Sequence, residues 1–280
     1  MITNNLYILR LLTNILAASS LVSAHPLLLS QQPSDVPTEI TPNSLSPSPS
    51  QESDALEWYN QGVDKINEKD YEGAIINFTE AIELNPQDSD AYYNRGYAQH
   101  ILGKLNEALN DYNQSIKINR KFVYAYGNRC YALFQLKEYQ KALADCSEAI
   151  NLNPEYANFY IYRGNAKDYL GNHQEAIADY TKAIGLNDNY AKAYYNRGLA
   201  YNHAGELEAA IIDYTKCLEL NPNSADAYYN RGVTKFLMGN QKEAFTDIHK
   251  AAELFKVQGN LDHAKQARGT IKKLQAQNDT

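Results

Sequence analysis

Apolar and small residues return along this chain with two nested periods. The short period is helical: Tyr194, Gly198 and Tyr201, and again Ala210, Tyr214, Cys217 and Leu218, fall three or four positions apart, on one face of a helix. The long period is 34 residues. Gly62, Gly96, Gly164, Gly198 and Gly232 share one grid, whose missing slot holds Cys130. Ala74, Ala108, Ala142, Ala176, Ala210 and Ala244 follow the same grid twelve residues later, and Trp58, Tyr92, Tyr126, Tyr160, Tyr194 and Tyr228 precede the Gly slot by four. Each period thus holds two amphipathic helices, with Gly or Lys breaking the first from the second, as at Gly103, Gly171, Gly205 and Gly239. Small residues at the Gly and Ala slots let the two helices approach closely. No segment carries a strand pattern.

One helix pair cannot bury its own apolar face, so neighbouring pairs stack into a one-dimensional core. Six periods cover 55–258 without insertion: 55–88, 89–122, 123–156, 157–190, 191–224 and 225–258. Ser53-Asp54 suit an N-cap for the first helix, which opens the repeat domain at 53. At the other end Phe255-Lys256 replaces the closing Asn-Pro, so the last helix is predicted to run toward Gly259. Leu261, Ala264, Ala267, Ile271 and Leu274 then form an apolar stripe, which predicts a capping helix within 259–280.

The register "AYYNRGYAQHILGKLNEALNDYNQSIKIN" resembles the tetratricopeptide repeat (TPR), in the Tyr-Asn-Arg-Gly form common in bacterial, notably cyanobacterial, proteins. Several positions recur in register six times, over nearly three quarters of the chain. The sequence departs from the family pattern with Arg for the usual Leu before Gly, with Cys130 for Gly, and with Arg120, Asp188 and Lys256 for the terminal Pro. The resemblance implies an all-α, right-handed α-solenoid of six helix-turn-helix repeats, closed by the C-terminal capping helix. It also implies a non-enzymatic scaffold that binds another protein through an extended segment.

Repeats two to six carry Arg just before the Gly slot and Asp sixteen residues later: Arg95/Asp111, Arg129/Asp145, Arg163/Asp179, Arg197/Asp213 and Arg231/Asp247. Repeat one holds Gln61 and Asn77 at these slots. Both charges vanish together, which predicts that they meet within a repeat and set helix register. A periodic Asp is scaffold before it is catalyst.

By the resemblance, the first helix of each repeat lines the concave side of a superhelix. The slots assigned there hold Tyr59, Tyr93, Tyr195 and Tyr229; Asn60, Asn94, Asn128, Asn196 and Asn230; and Tyr97, Tyr131 and Asn165. An amide offers donor and acceptor at once, which suits an extended polypeptide backbone, and Tyr adds tolerant contact area. The opposing reading is that these Asn residues satisfy groups between neighbouring helices. The slot at the start of the first helices holds Asp90, Tyr124, Asn158, Lys192 and Asp226. With Lys192 alone there, a basic clamp for a C-terminal carboxylate does not fit.

Composition narrows the classes further. A net charge of −7 argues against a broad nucleic-acid surface. Three Cys cannot build a disulfide framework or a four-Cys zinc site. Cys130 and Cys146 sit on the two helices of one repeat, where packed thiols are the default reading and a bridge in an oxidising compartment the alternative. His25, His100, His173, His203, His249 and His263 show no metal-ligand spacing, so no metal is expected, and no cofactor loop or nucleophile–base pair appears.

Before the repeats, a single charge at Arg10, an apolar run from Leu11 to Val22 and Val22-Ser23-Ala24 read as a signal peptide over 1–24. An uncleaved membrane anchor is the other reading. Residues 25–52 hold six of the nine prolines and read as a disordered linker. Together these predict export to a periplasm or beyond; the abundance of tyrosine gives self-association through exposed rings as a separate reading.

Overall fold

The computed structural model describes residues 49–278. The predicted signal peptide and residues 25–48 of the predicted linker lie outside the described residues. Within them the chain is all α-helical, with thirteen helices and no strand. They pair along the 34-residue grid: α1 (Pro49–Asn67) with α2 (Tyr71–Leu84), α3 (Ser89–Ile101) with α4 (Leu105–Ile118), α5 (Val123–Gln135) with α6 (Tyr139–Leu152), α7 (Ala157–Tyr169) with α8 (His173–Leu186), α9 (Ala191–Ala204) with α10 (Leu207–Leu220), and α11 (Ala225–Leu237) with α12 (Gln241–Val257). The capping helix α13 spans Leu261–Asn278. No described helix is long and apolar enough to cross a membrane.

The first helix starts earlier than expected. Pro49 opens it, because a proline lacks the N–H that a first turn leaves unbonded, and Glu52 adds negative charge to that turn. Residues 49–52 are therefore helix instead of linker, and Ser53-Asp54 lie inside α1 instead of capping it.

The break between paired helices falls at one slot throughout. Gly103, Gly171, Gly205 and Gly239 take φ between 74° and 86°, and Lys69 and Lys137 fill the same slot at φ 63°. A side chain there costs about 1 kcal/mol, and the stacked helices hold it in place.

Close approach explains the Gly slot. A Cβ on Gly198 would lie 2.8 Å from the Tyr214 ring, and one on Gly62 2.6 Å from Phe78. Each Gly meets a large residue sixteen positions on. Repeat three departs at both ends of this relation: Cys130 replaces Gly and Cys146 replaces the ring. Their Cα atoms are 5.4 Å apart and the sulfurs are bonded, so the expectation of separate thiols is corrected. Cys217 stays free and buried, and burial pushes its thiol up to about 11.

The described helices form two compact units, one ending at Glu155 and one beginning at Tyr156. In the first, Ile66, Ala74, Phe78, Tyr97 and Ala98 make one core cluster, and Tyr93, Ala108, Tyr112, Ile116, Ala125 and Ala132 another. In the second, Leu199, Ala210 and Tyr214 pack together. Its last cluster joins Tyr229, Val233, Ile248 and Phe255 to Ala264, Ala267, Ile271 and Leu274 of α13. Burying Ile271 and Leu274 contributes about 1.5–3 kcal/mol each, which holds the cap down. Leu261 is 63% exposed, so the buried stripe begins at Ala264.

Candidate functional site

Five Arg–Asp pairs form inside the repeats, each bidentate. Nε and Nη2 of Arg95 donate to Asp111 at 2.8 and 2.7 Å, those of Arg197 to Asp213 at 2.7 and 2.8 Å, and those of Arg231 to Asp247 at 2.8 Å each. Arg129 reaches Asp145 at 2.6 Å twice, and Arg163 reaches Asp179 at 2.9 and 2.6 Å. A third bond goes back one repeat: Nη1 of Arg95, Arg197 and Arg231 donates to Thr79, Thr181 and Thr215, and that of Arg129 to Asn113. Each guanidinium also lies over the Tyr three residues before it, from Tyr92 to Tyr228. Bonds to the buried carboxylates raise Arg95, Arg163 and Arg197 above the ordinary arginine range. The Arg slot is thus a three-helix tie.

The predicted Tyr/Asn wall is not a surface. Asn94 Nδ2 donates to the Tyr59 hydroxyl at 2.9 Å, Asn128 to Tyr93 at 3.0 Å, and Asn230 to Tyr195 at 2.9 Å. Each bond joins the Asn slot of one repeat to the Tyr slot of the repeat before. Where Ile161 replaces that Tyr, Asn196 turns to Asn165 Oδ1 at 2.9 Å, and Tyr180 donates to the same oxygen. Tyr93, Asn94, Tyr97, Asn128, Tyr131, Asn165, Asn196, Tyr229 and Asn230 are all buried. Tyr59 and Tyr195 are half-buried, and Asn60 alone of the predicted set is exposed. Tyr229 sits under the cap, its hydroxyl 2.9 Å from Thr270. Burial pushes the Tyr97 and Tyr131 phenols up to about 12. The amide nitrogens of Asn94, Asn128, Asn196 and Asn230 are therefore bonded inside the stack, while the Oδ1 atoms of Asn94, Asn128 and Asn196 are buried with no partner among the described residues; burial corrects the expectation that these side chains line an open wall.

His100 is also interior. It stacks on Tyr131 with ring centroids 5.3 Å apart, and its Nε2 lies 2.7 Å from Gln135 Oε1. Burial lowers it to about 4 from an ordinary 6.5. The unfolded chain binds a proton there between those values and the folded chain does not, so stability falls as pH drops through that window. The loss attributable to His100 between pH 7 and pH 5 is about 2 kcal/mol. Urea unfolding at both pH values checks it, since His100→Gln should flatten the profile by that amount.

The slot in the opening turns of the first helices stays accessible. In the second unit it holds Asn158, Lys192 and Asp226, in three successive repeats and each half-buried. The Tyr190 hydroxyl donates to Asn158 Oδ1. Desolvation lowers the Lys192 ammonium to about 8, and burial raises the Asp226 carboxyl. Desolvation alone shifts Lys192, and no carboxylate among the described residues pairs with it.

Sequence spacing also missed a cluster. Asp168 in the last turn of α7, His173 at the start of α8 and His203 in the last turn of α9 bring one carboxylate and two imidazoles together.

Sequence comparison matches residues 89–122, 123–156 and 191–224 to the tetratricopeptide repeat, 66–103 and 169–204 to a related TPR pattern, and 213–246 to a third tetratricopeptide repeat pattern. An uncharacterized protein of Methanocaldococcus jannaschii is 44% identical over 50 residues, 18% of this chain and 58% of that relative. Among solved structures, MamA is 26% identical with a TM-score of 0.56, over 62% of this chain and 94% of MamA. YrrB, described as a TPR protein with an unusual peptide-binding site, is 25% identical with a TM-score of 0.54, over 68% and 97% of the two chains. A tetratricopeptide repeat protein from Parabacteroides merdae, 22% identical, shares the fold at a TM-score of 0.62, over 79% and 97%.

Proposed function

We propose that this chain, which belongs to the tetratricopeptide repeat family, is a non-enzymatic scaffold that holds an extended, acid-bearing segment of another protein. Members of this family generally mediate protein–protein contacts. The observation that carries the finer reading is Lys192. Its ammonium is half-buried and has no carboxylate partner among the described residues, a state that a carboxylate from outside relieves. Asn158 one repeat before it has its Oδ1 engaged by Tyr190 and offers its Nδ2 donor to a guest backbone. The peptide site named in the description of YrrB lends support to a peptide ligand.

This differs from a ladder of amides. The Asn and Tyr residues hold the repeats together, and the contact falls to the opening turns of α7, α9 and α11. The Cys130–Cys146 bridge is in keeping with an exported protein folding in an oxidising compartment. Selection of random 12-residue segments against the full chain tests the reading. Extended segments with an acidic residue should be enriched, and Lys192→Gln should weaken their binding about tenfold. Enrichment of basic or purely apolar segments, or none, would refute it.

A further inference from the structure

We propose that Asp168, His173 and His203 form a binding site for one divalent transition-metal ion of the zinc type. The three residues come from the end of α7, the start of α8 and the end of α9. The Asp168 side chain is 9% exposed and turns one oxygen to each ring: Oδ1 lies 2.7 Å from His173 Nδ1, and Oδ2 2.9 Å from His203 Nδ1. The two ring centroids are 5.2 Å apart. All three ligand atoms lie within 4.8 Å of one another. A tetrahedral zinc with bonds of about 2.0–2.2 Å sets its ligands about 3.3 Å apart, a separation that falls within the 4.8 Å span of these three ligand atoms.

The ligand chemistry selects the ion. A single carboxylate is a poor cage for magnesium or calcium, which take mostly oxygen ligands, whereas two imidazoles favour zinc, cobalt, nickel or copper. Both rings remain partly exposed, which leaves room for water to complete the coordination. The neighbouring ammonium does not compete for Asp168, since Lys167 is held by Asp179 at 2.9 Å and Glu175 at 3.4 Å.

The cluster is also not part of the repeating scaffold. The slot of Asp168 holds His100, Phe134, Asn202 and Phe236 in other repeats, and that of His173 holds Tyr71, Leu105, Tyr139, Leu207 and Gln241. A feature confined to one place in a periodic fold serves something other than stacking. An ion here ties α7, α8 and α9 together at the end of the helix pair remote from Lys192's turn, and the site stands independently of any protein partner.

Zinc titration of the chelator-stripped full chain, by calorimetry and by metal analysis after dialysis, is the test. One zinc per chain with micromolar or tighter affinity is expected, together with a zinc-dependent rise in melting temperature. Cobalt should give visible absorption bands of a site with fewer than six ligands. His203→Gln, at an exposed ring, and His173→Gln should each weaken zinc binding at least tenfold and abolish the melting shift, with helical content unchanged. Failure of the wild-type chain to bind zinc near one equivalent, or undiminished binding in both variants, would overturn the proposal. Should His203→Gln fail to fold, His173→Gln decides.

Discussion

Asp179→Asn is expected to lower the unfolding free energy by about 3–5 kcal/mol. The carboxylate is 6% exposed and neutralises two cations: Arg163 through two short bonds and Lys167 at 2.9 Å. The amide keeps the shape and removes the charge, leaving a guanidinium and an ammonium facing each other with no anion between them. Glu175 also approaches Lys167, but at 3.4 Å and with 67% of its side chain in solvent, so Glu175→Gln should change stability by less than about 0.5 kcal/mol. Urea unfolding of the two variants gives the comparison. Equal losses would mean that the Arg–Asp ties set no register. Replacing a whole pair by apolar residues is a different experiment, because it removes both desolvation costs together.

The second large effect concerns repeat three. Its bridge closes a loop sixteen residues apart in sequence, and a loop of that size is worth about 3 kcal/mol through restriction of the unfolded chain. A Cys130→Ala, Cys146→Ala double variant should lose about that much. Without the bridge, two facing methyl groups stand where four other repeats place a ring against Gly and the last places Ile248. Thiol titration of the unfolded, unreduced chain should count one thiol, from Cys217, and three after reduction. Three thiols before reduction would show that no bridge forms.

Much of this architecture could be read from the chain because it repeats. Six copies average out local ambiguity, so the helix pairs, the break slot and the cap are evident from register alone. The Arg–Asp pairs were legible for a sharper reason: Gln61 and Asn77 replace both partners together. The same logic applied to other slots would have found more. Cys130 and Cys146 replace Gly and its facing ring in one repeat. Gly127 and Tyr162 replace Tyr and Asn in adjacent repeats, a joint departure that marks the 35-residue relation seen in the Asn–Tyr bonds. The wall was misplaced because an amide's partner is chosen across the repeat boundary, and burial decided between two readings that fit the sequence equally. Asp168, His173 and His203 carry no repeat signal, since each stands at a different slot and only the turns between helices bring them together.

The central claim divides the first helices into an interior that holds the stack and an opening turn that holds the guest. Titration of a selected acidic segment against Lys192→Gln and Asn230→Ala, with the stability of each variant measured in parallel, tests it most directly. Lys192→Gln should weaken binding about tenfold without loss of stability, because it relieves a desolvated charge. Asn230→Ala should cost about 1–2 kcal/mol of stability through the lost bond to Tyr195 and leave the affinity of the folded protein unchanged. The reverse pattern, with affinity lost at Asn230 and untouched at Lys192, would contradict the account.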